Sequence, residues 1–373
     1  MNNRLQAPKP GLHEYSVVFT DRALNHMSPE FQACMRDISD MLKRVYSADS
    51  AVIIPGGGSV GMEAVARQFA NDVHCLIIRN GWFSFRWTQI LETGRIAAST
   101  TVLSASTGSD EHQAAFSPAP IEDVVAAIQA EKPAVVFAPH VETASGIVLP
   151  NDYIRAVAEA VHAYGGLFVL DCVASGTLWV NMRELGVDVL ISAPQKGWSA
   201  TPCAALIMLS ERALLRLNET QSTSFALDLK KWHQIMLAYE NGGHAYHATM
   251  PTDALIYLRD AMRETETAGF DAMCQAQVTL GREVRSLLAE HGFRSVAAAG
   301  FEAPGVVVCY TDDDAIHTGK RFIELGLQCA AGVPLQCNEP ARFKTFRLGL
   351  FGLDKLQNIE RTVARLRTAL EAL

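Results

Sequence analysis

Short runs of aliphatic and β-branched residues recur along the first two thirds of the chain. Ala51–Ile54, Cys75–Ile78, Thr101–Leu103, Ala134–Ala138, Leu167–Leu170, Val187–Ile191 and Ala204–Leu209 have the length and continuous apolar character of buried strands. Helix-like segments such as Ile121–Ala130 and Tyr153–Tyr164 separate most of them. That alternation predicts an α/β fold with a mostly parallel, seven-stranded sheet flanked by helices. Ser28-Pro29-Glu30 is a helix start, with a capping serine and a proline at the first helical position, and the helix is expected to run to about Tyr46. After about residue 260 the rhythm changes. A long helix (about Asp260–His291) leads to strands at Gly305–Tyr310, Leu327–Ala330 and Thr345–Leu350, closed by a helix from about Leu356. The expected organisation is a large domain over 20–260 and a smaller α+β domain over 261–373, with the segment 1–19 packing near the latter.

A length of 373 residues agrees with two domains, since it exceeds the size at which one core stops growing. The 49% hydrophobic and 19% charged content is that of a folded protein, so no segment is set aside as disordered. A net charge of −8 argues against nucleic acid or an anionic membrane as the main partner, because both need clustered Lys/Arg. It leaves room for a local basic pocket. The first ten residues lack a signal-peptide core, and no apolar run is long enough to span a bilayer. A soluble cytoplasmic protein is the expectation. The eight cysteines show no CxxC pairs, so neither a metal site nor a disulfide framework is expected; they read as buried free thiols.

Open α/β sheets bind ligands beyond the carboxyl ends of their strands. Three strand ends carry candidate chemistry. Gly56-Gly57-Gly58-Ser59-Val60-Gly61 follows the first strand and precedes a helix, which suits a phosphate at the positive end of a helix dipole. The string also fits GxGxxG. A dinucleotide site, however, wants a carboxylate after the second strand, where Arg79-Asn80-Gly81 stands. A merely tight turn is the third reading. Asp171 closes an apolar strand, where a carboxylate is costly unless paired. It is a helix cap, a salt-bridge partner, or the partner of a buried cation such as a protonated pyridine nitrogen. Lys196 follows the strand Val187–Ile191 in small and apolar company, either as a surface lysine or as a buried amine of lowered pKa able to attack an aldehyde. Phosphate turn, Asp and Lys in that order are what pyridoxal 5′-phosphate (PLP) needs on a parallel sheet. The three sites would hold its phosphate, its ring nitrogen and its aldehyde carbon.

Four segments carry a resemblance that runs from about Ser28 to the C-terminus. They are Gly56 to Ala64, Leu170-Asp171-Cys172-Val173-Ala174-Ser175, Ser192-Ala193-Pro194-Gln195-Lys196, and Thr345-Phe346-Arg347-Leu348-Gly349-Leu350. In this set the chain resembles the class V aminotransferases of PLP fold type I, especially the alanine–glyoxylate, serine–pyruvate and 2-aminoethylphosphonate–pyruvate group. The resemblance implies a Schiff base between PLP and Lys196, with Gly57, Gly58, Ser59 and Gln195 at the phosphate. It implies Phe83 stacked on the ring, Val173 on the opposite face, Asp171 at the ring nitrogen and Thr143 at the phenolic oxygen. Arg347 would bind the substrate's α-carboxylate. Tyr246 and Thr249, in Tyr246-His247-Ala248-Thr249, would reach the phosphate of a neighbouring subunit's cofactor, making a homodimer with shared sites. The implied reaction moves an amino group from a small donor such as alanine or serine to a small 2-oxo acid such as glyoxylate or pyruvate. The Gly-Pro-rich segment usual near the family's N-terminus is replaced by Tyr15 to His26, so the pocket wall differs, and Arg22, Asn25 and His26 are candidate contacts. A PLP-dependent lyase or desulfurase on the same fold is the first alternative, although desulfurases usually show His where Gln195 and Phe83 stand. A non-catalytic phosphate- or nucleotide-binding module is the second.

Overall fold

The computed structural model describes residues 24–373. Arg22 and the segment 1–19 lie outside the described residues. Helix α1 (Pro29–Tyr46) begins as the sequence suggests, with the Ser28 hydroxyl accepting from the Phe31 N–H at 3.2 Å. Its buried stripe of Phe31, Cys34, Met35, Ile38 and Leu42 follows helical spacing.

Strand β1 (Ser50–Pro55) is followed by α2 (Gly58–Phe69), β2 (His74–Arg79), α3 (Trp82–Thr93) and β3 (Ser99–Ser104). Then come β4 (Val135–Pro139), β5 (Leu167–Asp171), β6 (Val189–Ser192) and β7 (Ala204–Leu209). They form one seven-stranded sheet in the order β1-β7-β6-β5-β4-β2-β3, in which only β7 runs antiparallel to its neighbours. β4 to β7 are buried along their whole length, which explains why their sequences are unbroken apolar runs rather than alternating ones. The register pairs Asp171 with Pro139 on one side and Ile191 on the other, placing its carboxylate at the carboxyl edge of the sheet.

β6 begins two residues later than its apolar run suggests. The Asp188 carboxylate accepts from the Phe168 N–H at 2.8 Å and meets His162 at 2.9 Å, so the ladder starts only at Val189. The expected long helix is two helices, α4 (Thr252–Ala268) and α5 (Phe270–Glu290), broken at Gly269 with φ of +88°. Each half serves a different core. Leu255, Leu258 and Met262 pack into the cluster around the sheet, whereas Leu280, Val284 and Leu287 pack against Val307, Phe346 and Leu348. A second, three-stranded sheet joins β8 (Val306–Tyr310), β9 (Ala330–Ala331) and β10 (Thr345–Gly349) in the order β8-β10-β9. The strand expected over Leu327–Ala330 is only this two-residue β9. Leu327 instead closes the preceding turn, its N–H bonding to the Phe322 carbonyl.

Among the described residues no helix is long and apolar enough to cross a membrane, and no group of three or more His, Cys, Asp or Glu could hold a metal. All eight cysteines are free thiols.

Candidate active site

At the end of β1, Gly57 takes an extended conformation and caps α2. The N–H groups of Val60 and Gly61 bond back to the Gly57 carbonyl at 2.9 and 3.1 Å, so the earlier N–H groups of the turn have no acceptor within the helix. They point toward the positive end of the helix dipole, where an anion is favoured. The turn lies against the segment after β5: a Cβ at Gly58 would stand 2.6 Å from Val173 Cγ2.

Asp171, the last residue of β5, is buried, and its Oδ1 accepts from the Val173 N–H at 2.9 Å. No Lys or Arg forms an ion pair with it among the described residues. Burial pushes its carboxyl from 3.8 up to about 6; the Val173 N–H and the Arg86 charge oppose that rise, and the Glu142 charge adds to it. This sets a pH dependence. Between about pH 4 and pH 6 the native carboxyl keeps a proton that the unfolded chain has lost, so stability falls as pH rises through that window and stays lower above it. At 1.36 kcal/mol per unit the loss is on the order of 3 kcal/mol. Thermal melts of cofactor-free protein across this window are expected to show the fall relative to Asp171→Asn. Parallel melting curves for the two proteins would contradict it.

Lys196 lies in the turn after β6. The turn is held from both sides. Trp198 is fully buried, with its ring centre 4.7 Å from that of Trp179, and Gly197 approaches the Gly176 carbonyl so closely that a Cβ would lie 2.0 Å from its oxygen. Lys196 Nζ sits 5.1 Å from the centre of the Phe351 ring. Burial lowers its pKa, and the nearby Arg347 charge lowers it further, which favours the neutral amine. Beside it, Gln195 Oε1 is buried without a hydrogen-bond partner.

Glu142 organises the opposite wall. It is fully buried and accepts from the N–H groups of Phe83 (3.2 Å), Ser84 (2.9 Å) and Ala144 (3.0 Å) and from the Ser84 hydroxyl (2.7 Å). Burial raises its pKa despite these bonds. The carboxylate thus caps α3 and fixes the first turn, which carries Phe83. Thr143 follows Glu142 directly and is almost fully buried. Arg347, on β10, is held by a 2.8 Å bond from its Nε to the Ala331 carbonyl, and its Cζ lies 5.6 Å from the Phe83 ring centre. Burial lowers its pKa, while the Glu142 charge opposes that shift.

The fold therefore brings Lys196, Arg347, Phe83 and the Asp171–Val173–Gly58 contact to the carboxyl edge of the sheet. Tyr246 and Thr249 make their recorded contacts elsewhere. Tyr246 is 59% exposed, meets Thr249 hydroxyl to hydroxyl at 3.3 Å, and packs on His26 with ring centres 5.6 Å apart. Asn25 accepts from the Met27 N–H just before α1. Three site residues escaped the sequence reading: Phe351 beneath Lys196, Glu142 as the cap of α3, and Arg86 on the Ser59 hydroxyl at 2.8 Å.

Comparison with known proteins places the chain in a family. The sequence profile of the family described as Aminotransferase class-V matches residues 12–324. The 2-aminoethylphosphonate–pyruvate transaminase of Burkholderia ambifaria is 28% identical over 370 residues, covering 95% of this chain and 92% of that protein. The alanine–glyoxylate aminotransferase of Oryctolagus cuniculus is 24% identical over 367 residues, covering 93% and 87%. Among solved structures, the alanine–glyoxylate aminotransferase from Nostoc sp. superposes with a TM-score of 0.77 at 22% identity, covering 93% of this chain and 89% of that one.

Proposed function

Because the chain belongs to the class V aminotransferase family, and is thus a PLP-dependent transaminase, we propose that Lys196, Asp171 and Arg347 carry its reaction, and that it aminates a small 2-oxo acid such as pyruvate or glyoxylate. The observation that carries this reading is the meeting of a lysine of lowered pKa with an arginine, together with a buried Asp, where among the described residues neither the arginine nor the Asp forms an ion pair. These residues fit the cofactor. The first-turn N–H groups of α2, the Ser59 hydroxyl and the side-chain amide N–H of Gln195 would hold the phosphate. Phe83 and Val173 would face the ring and Thr143 its phenolic oxygen.

When bound, PLP supplies an aldehyde that captures the substrate amine and a ring that accepts electron density from the reacting carbon. Asp171 keeps the ring nitrogen protonated, and the positive charge there supplies the partner that burial otherwise denies its carboxylate. Arg347 forks onto the substrate carboxylate through its guanidinium, which does not lose its charge at working pH. Lys196 Nζ, its pKa lowered by burial and by the Arg347 charge, takes the proton from the donor's Cα and returns one to the acceptor's Cα in the second half-reaction. Phe351 and Phe83 keep water from the Lys196 amine and the Arg347 pair.

A homodimer is part of the proposal: Tyr246 is exposed and meets the Thr249 hydroxyl, and a partner's phosphate turn would receive the two. The cytoplasm is proposed as its compartment, because eight unpaired thiols suit a reducing one. The named relatives are transaminases, which favours transfer over the lyase and desulfurase alternatives.

The experiment is an absorbance spectrum of the purified protein with alanine, serine, aspartate or 2-aminoethylphosphonate added separately. The visible band of the lysine-bound cofactor is expected to give way to a near-ultraviolet band with one donor, and to return on adding pyruvate or glyoxylate. A visible band that no amino donor converts would remove the transamination reading.

A further inference from the structure

Arg86 lies on α3 one turn after Phe83, so the two side chains share a helix face. Its Nη1 donates to the Ser59 hydroxyl at 2.8 Å, and its Cζ stands 5.2 Å from the Phe83 ring centre. Among the described residues it is the one Lys or Arg side chain hydrogen-bonded to the Gly56–Gly61 turn, and no carboxylate forms an ion pair with it. A guanidinium beside the positive end of α2 adds to a field that already favours anions. Asp171 feels the Arg86 charge but forms no ion pair with it among the described residues, so the pair of positive fields gains most from an anion that touches both.

Ser59 sharpens the point. A hydroxyl has one proton to donate, and accepting from Arg86 leaves that proton free to turn toward such an anion. A phosphate carrying about two negative charges meets there a backbone N–H cradle, an oriented hydroxyl and a guanidinium suited to two-point contact. Lys196 is committed to the aldehyde end and Arg347 to the substrate, so neither supplies this charge.

We propose that Arg86, acting with Ser59, binds the phosphate of the cofactor. The inference rests on the cofactor placement proposed above. Two other roles make different predictions: Arg86 could bind an acidic group of the substrate, or only position Phe83.

The test compares PLP with pyridoxal, which lacks the phosphate, in absorbance titrations of cofactor-stripped wild-type, Arg86→Gln and Arg86→Lys proteins. Arg86→Gln is expected to weaken PLP about tenfold or more while changing pyridoxal affinity less than about twofold, because only a charge-assisted contact to phosphate is lost. Arg86→Lys is expected to fall between, since a point charge replaces the fork, and it provides the same ratio if Arg86→Gln does not fold. Equal losses for both aldehydes would assign Arg86 to Phe83 or to the fold and overturn the proposal. Unchanged PLP affinity would overturn it as well. A wild-type protein that binds neither aldehyde would instead overturn the cofactor placement.

Discussion

Lys196→Ala is expected to abolish turnover. Two functions are lost together: the amine that captures the cofactor's aldehyde and the base that moves the Cα proton. Proton transfer by a positioned group accounts alone for about 10²–10⁴-fold, so residual activity above a few per cent of wild type would contradict the assignment. Arginine in place of Lys196 is no substitute, since a guanidinium stays protonated at working pH. The lowered pKa of Lys196 depends on burial and on the neighbouring Arg347 charge. A steady-state assay with the converting donor, alongside circular dichroism to show that the variant folds, checks the result.

Arg347→Ala is the second large effect. Removing one partner of a desolvated guanidinium–carboxylate pair costs about 2–5 kcal/mol, much of it from stranding the other charge. At 1.36 kcal/mol per decade, kcat/KM falls by roughly 30- to 5,000-fold. Most of the loss is expected in KM if the pair is equally strong in ground and transition states. Donors without a carboxylate beside the amine should lose less, because they have no group to strand. A loss equal across all donors would show instead that the side chain supports the fold through Phe83 and Ala331, its recorded neighbours.

The parallel sheet was legible because strands buried on both faces need unbroken apolar runs, and β4, β5 and β7 supply them. Asp171 stood out because a charge directly after such a run is costly unless something compensates it, and Lys196 because it stands in small and apolar company near a strand end. Boundaries shifted where side chains took over backbone bonding, as Asp188 does before β6. The break at Gly269 was not legible, because α4 and α5 share one helical period and differ only in which core they meet. Glu142, Phe351 and Arg86 were hidden for a further reason. Their roles come from contacts with segments tens to hundreds of positions away, and nothing local separates a capping glutamate from a solvated one. Tyr246 and Thr249 show the limit of a single chain. Their recorded contacts lie within the loop and on His26, and a shared site would be completed only by a second copy.

The central claim is that the cofactor is carried on Lys196. Reduction of the purified protein with borohydride, followed by proteolysis and peptide mass mapping, tests it directly, because reduction makes the bond between amine and aldehyde permanent. The account predicts a phosphopyridoxyl mass increment on the peptide containing Lys196 and on no other. An increment on a different lysine, or an unmodified Lys196 peptide from protein that shows the visible band, would contradict it.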